Sequence, residues 1–88
     1  MSLFLSVVFP AQAQDDLSGT VVETMNSGGY TYVQIENSGR KTWIAVPKTK
    51  IEKGSTVTFV PGAPMSNFTS KTLGKTFDVI IFSPGLAN

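Results

Sequence analysis

The stretch NSGGYTYVQIENSGRKTW, residues 26–43, decides how the rest of the chain is read. Asn-Ser-Gly occurs on both sides of a short alternating run. Glycine enters the positive-φ region without steric cost, and two-residue hairpin turns require that region. Both sites therefore predict tight turns, with a strand over residues 30–36 between them. Successive strand side chains point to opposite faces, so Thr31, Val33 and Ile35 share one face and Tyr30, Tyr32, Gln34 and Glu36 the other. The β-branched face reads as core, and the tyrosines then lean outward. A slip of one residue would exchange the two sets, so the turns hold the register.

Working outward, residues 19–25 (GTVVETM) and 41–46 (KTWIAV) flank this strand and complete a three-strand meander, which Pro47 ends. Residues 47–54 are a polar connection. STVTFV (55–60) alternates, with Val57 and Phe59 on one side, and KTFDVIIF (75–82) is the last strand before Pro84-Gly85. The intervening segment 61–74 is rich in turn formers and reads as a long surface excursion. Five short strands predict an all-β fold: a small five-stranded closed or partly open barrel, OB-like, with an SH3-like barrel as the alternative. Closure would remove the exposed edges that so much strand sequence creates.

At the front, LFLSVVF (3–9) is almost wholly apolar and is followed by Pro10 and AQAQ, which offers a small-x-small cleavage site at Ala11 and Ala13. Residues 1–13 are expected to be a signal-peptide remnant, 14–18 a flexible start, 19–83 the barrel domain and 84–88 a tail. No basic residue precedes Arg40, so the charged start of a secretory signal is missing and an ordinary first strand is the competing reading. The run is too short to span a bilayer, which takes roughly 20 residues. The expectation is an exported, periplasmic protein with no transmembrane span after cleavage.

Cysteine and histidine are both absent. That excludes disulfides, the usual zinc and copper sites, c-type haem attachment and every Ser-His or Cys-His nucleophile. Seven basic and six acidic residues leave a formal charge of +1, too small a field to draw in a polyanion. The six carboxylates are scattered; Asp78 is notable only for interrupting an apolar run. Met25 and Met65 read as core fillers rather than soft metal ligands. Asn67-Phe68-Thr69 matches a glycosylation sequon, a pattern short enough to arise by chance. These readings point to a protein that is not an enzyme and carries no cofactor.

The one place with the residue types of a binding site lies on the outer face of the meander. If Ile44 and Val46 point inward, Trp43 lies outside beside Tyr30 and Tyr32. The candidate contact surface is Tyr30, Tyr32, Trp43, Met65 and Phe68, rimmed by Lys41, Lys48 and Lys71. The outer face of strands two and three is where OB barrels stack bases or sugars, so a single-stranded nucleic-acid binder is the alternative function. The competing reading is a structural cluster covered by segment 61–74, with Met65 and Phe68 as its lid. The need of so small a domain to bury its aromatics weighs toward the covered cluster.

In order, GTVVETMNSGGYTYVQIE, TWIAVPKTK, KGSTVTF and MSNFTSKTLGKTFDVIIF resemble the NrfJ-like family, small exported bacterial proteins found with genes for multihaem c-type cytochromes and nitrite reduction. The likeness covers about residues 19–82, and Tyr30-Thr31-Tyr32-Val33, Trp43-x-Ala45-x-Pro47 and Met65-x-x-Phe68-x-Ser70-x-x-Leu73 with Thr76-Phe77-Asp78 are its most specific parts. It implies export and an accessory role around electron-transfer proteins, with a protein partner such as a c-type cytochrome. Family members often carry histidine where this chain has Thr69, so no metal or haem role of that position carries over.

Overall fold

A computed structural model of the chain describes residues 17–87. The expected signal segment, 1–13, lies outside them. The described residues form six strands: Ser18–Ser27 (β1), Tyr30–Asn37 (β2), Arg40–Pro47 (β3), Thr56–Thr58 (β4), Ala63–Ser70 (β5) and Lys75–Phe82 (β6). They make one sheet in the order β4-β1-β2-β3-β6-β5, in which only the β3–β6 pair is parallel. None of the described residues is helical, and no helix is long and apolar enough to cross a membrane.

One expectation, the strand count, is corrected, and of the closed and partly open forms the closed one is set aside. There are six strands rather than five, because residues 63–70 of the supposed surface excursion pair with β6 along its whole length. The sheet is also not closed by hydrogen bonding between its outermost strands, β4 and β5. The segment after β6 does return to the other end of the sheet. Leu86 bridges to Phe59, Val60 N–H donates to Gly85 O, and Ala87 N–H donates to Thr58 O. Leu17, expected in the flexible start, is buried, and its carbonyl accepts from Phe59 N–H at 2.8 Å.

The two Asn-Ser-Gly sites do make the turns that fence β2, in different frames. In the first the loop is Gly28-Gly29, both at positive φ, closed by the pair Ser27 and Tyr30. In the second it is Ser38-Gly39, so Ser38 itself adopts φ 53°. Positive φ at both loop residues matches the twist of the flanking strands. The expected register follows: Val33 sits opposite Ile44, and Tyr32 opposite Ala45.

β1 serves both faces of the meander through a bulge. Val21 pairs with Ile35, and Glu23 already pairs with Gln34, which leaves Val22 as the extra residue. The bulge shifts the alternation by one. Val21 consequently enters the aliphatic core with Val33, Ile35, Ile44, Val46 and Phe59, while Met25, opposite Tyr32, joins the other face.

That other face is also covered. Tyr32, Ala45, Phe77 and Ile80 form a second core, with Met25, Trp43, Phe68, Leu73 and Phe82 packed against it. Phe77 and Ile80 could not share a face under strict alternation. The β5–β6 register passes over Asn67 and Asp78, where Asn67 takes φ 53°, and the ribbon changes face there. Two-stranded ribbons twist more than wide sheets, so the hairpin can turn its phenylalanines onto the β2–β3 surface. Gly62 is needed where the chain enters β5, because a Cβ there would collide with the carbonyl of Phe82.

Candidate functional site

β3 and β6 run side by side only at Ile44 with Ile81 and Ala45 with Phe82, and toward their N-terminal ends they separate. The fork opens as a cleft of about 450 Å³ between Lys41, Thr42 and Trp43 of β3 and Lys75 to Val79 of β6. Trp43 and Phe77 meet edge to face at 5.1 Å on the side of the aromatic core. Lys75 Nζ lies over both rings, 5.7 Å from the Trp43 centroid and 5.4 Å from that of Phe77. An ammonium in this position is attracted by the ring quadrupoles, and at an exposed site such a contact is worth roughly 0.5–1 kcal/mol. Asp78 supplies the one acidic side chain of the lining.

A second cavity, of about 540 Å³, lies on the aliphatic face of the same fork. Leu17, Ile35 and Ile81 line its apolar part, and Arg40 and Thr42 also line it. Thr42 touches both cavities, so the fork is open from either side of the sheet.

The eight candidate residues do not form one surface. Lys41 and Trp43 line the cleft, and Trp43 is partly buried. Tyr32, expected outward, is on the predicted face but only 4% exposed. Its ring lies nearly parallel to that of Phe77, with centroids 5.7 Å apart and an interplanar angle of 6°. Phe68 belongs to the same layer, edge to face with Phe82 at 5.0 Å. Tyr30 is 39% exposed and stands edge to face with Phe82 at 5.9 Å. Met65 is exposed rather than acting as a lid. Lys48 follows the far end of β3, where its N–H donates to Gly29 O, seven residues from Lys41. Lys71 is exposed in the turn between β5 and β6.

Sequence reading missed Lys75, Phe77 and Val79 as cleft residues. The alternating Lys-Thr-Phe run was visible, but nothing local shows where β6 leaves β3. Among the described residues no group of three or more acidic side chains is placed to hold a metal ion. Comparison with family models, curated proteins and solved structures yields no match.

Proposed function

We propose that the protein is a non-enzymatic binding module of the periplasm that engages a protein partner through the β3–β6 cleft. The observation that carries this reading is the fork itself: an open cleft with a partly buried tryptophan on one wall and cations from both strands. An aromatic side chain beside an apolar wall is the residue type that dominates protein recognition surfaces, and flanking lysines steer and orient an oppositely charged partner. The resemblance to NrfJ-like proteins directs the choice of partner to a c-type cytochrome, on which an acidic patch would meet Lys41 and Lys75.

The fold reading that goes with it is a partly open, OB-like barrel. Its supports are the bulged first strand shared between β2 and β4, the parallel β3–β6 contact, and the return of residues 85–87 to the end of β4. On this reading β5 is an added strand that lays the hairpin over the face such barrels use for nucleic acid. The stacking position on Tyr32 is taken by Phe77, which runs against the single-strand-binding alternative.

Trp43 is the only tryptophan of the chain, so its fluorescence reports the cleft. Titrating the protein with c-type cytochrome purified from the same periplasm should quench that fluorescence saturably, because haem accepts the excitation energy. The doubly charge-reversed variant Lys41→Glu/Lys75→Glu, altered only at exposed side chains, should lose the effect. Undiminished quenching in that variant would sink the cleft as the contact surface.

A further inference from the structure

Among the described residues the fork leaves main-chain groups without a neighbouring strand. In a two-residue hairpin the residues flanking the loop exchange both main-chain hydrogen bonds, and the ladder alternates from there. Asn37 and Arg40 flank the Ser38-Gly39 loop, so Arg40, Thr42 and Ile44 turn their N–H and C=O groups to β2. Lys41, Trp43 and Ala45 turn theirs the other way. Ala45 displays that direction, because its carbonyl accepts from Ser83 N–H at 2.9 Å. The parallel ladder begins only at Ile44, so Lys41 N–H and C=O and Trp43 N–H face the cleft with no strand beside them among the described residues. By the same alternation Ser83 and Ile81 turn toward β3, and so does Val79, which lies beyond the last paired residue.

We infer that the fork is a receptor for an extended acidic segment of another polypeptide, which adds to the free edge of β3 as a short strand. This rests on the cleft being the contact surface and specifies what it binds. An unpaired strand edge is a ready template for one more chain, and main-chain hydrogen bonds supply affinity in such additions while flanking side chains select the sequence. Lys41 and Lys75 stand on opposite walls and Arg40 lines the cavity on the other face of the fork, against two carboxylates, Asp78 in the lining and Glu36 opposite Lys41 on β2. That balance favours acidic side chains on the incoming segment. Val79, 52% exposed, offers it an apolar contact.

The probe is the synthetic peptide acetyl-Glu-Val-Glu-Val-Glu-Val-amide, read by Trp43 fluorescence and by hydrogen exchange of the Lys41 and Trp43 amides. Wild type should show a saturable shift and slowed exchange at both amides. Lys41→Pro removes a cleft-facing N–H that the β2 ladder does not use, so the hairpin is retained and peptide affinity should fall roughly tenfold or more. Lys41→Gln keeps the N–H and should lose less. Of two peptide analogues N-methylated at alternate amides, one should bind and the other should not.

No saturable change up to about 1 mM peptide, the weakest affinity worth assigning to a site, overturns the inference. So does equal binding by Lys41→Pro or by both analogues. Slowed Trp43 exchange that rises with protein concentration alone assigns the edge to a second copy, and displacement of the peptide by oligothymidylate assigns it to nucleic acid; either result overturns the inference. Cytochrome quenching that survives Lys41→Pro but not the double charge reversal would leave the proposed function standing and remove the strand addition.

Discussion

The β2–β3 hairpin carries a different kind of core on each face. On one, Val33, Ile44 and Val46 are fully buried among aliphatic side chains of β1 to β3 and the ring of Phe59. On the other, Tyr32 and Phe77 are nearly as deeply buried, but Trp43 beside them is not, and the cleft opens at its edge. The difference lies in what covers each face. The aliphatic side is covered by β1, bonded to β2 along its length, and by Phe59 next to the three-pair β4, whereas the aromatic side is covered by a ribbon joined to β3 at two residue pairs. Similar depth of burial thus hides a difference in how each cover is joined to the hairpin.

The sharpest way to break this comparison is a pair of core truncations. Ile44→Ala removes the centre of the aliphatic core and should cost about 3 kcal/mol, a large share of the stability of so small a domain. Denaturant unfolding should show the whole chain melting earlier in a single transition. Phe77→Ala removes as large a side chain, yet most of its effect should be local. Exchange of amides in residues 63–79 should accelerate while those of β1 to β3 stay protected, and the loss of global stability should fall below that of Ile44→Ala. Equal acceleration in both regions would mean that the two cores unfold as one unit.

What could be read from the sequence follows the same division. The meander, its register and its two faces were legible because the turn glycines and the alternation of β2 and β3 are local signals. The bulge at Val22 was not, since two adjacent valines look alike on either face until a partner strand is placed. β5 was missed for a physical reason. As an outer strand it needs one partner only, tolerates Pro64, and leaves Met65, Ser66 and Asn67 exposed, so it has no apolar periodicity to detect. Tyr32 was placed on the correct face, but its burial depends on Phe77, 45 residues later, and on a change of face at Asn67 and Asp78. Asp78 interrupts its apolar run at the point where the ribbon changes face.

The smallest expected effects come from two hydroxyls on neighbouring residues of β2, one on each face. Thr31, 1% exposed, has its Oγ1 2.6 Å from Asn26 Oδ1 and accepts from Thr49 N–H at 3.0 Å, which ties the 47–54 connection to the sheet. Tyr32 Oη reaches Ser70 Oγ only at 3.4 Å, and Ser70 Oγ also accepts from Leu73 N–H. Thr31→Val keeps the shape but gives up the hydrogen bonds to Asn26 and Thr49, whose groups are only partly buried, so a loss of about 1 kcal/mol is expected. Tyr32→Phe forfeits a hydrogen bond already at the limit of useful geometry and keeps the ring stacked on Phe77, so it should cost about 0.5 kcal/mol or less. Urea midpoints of the two variants, compared at equal slope, measure the difference directly. A larger loss in Tyr32→Phe than in Thr31→Val would show that the aromatic face is held by its polar rim, and that the ring contacts are secondary.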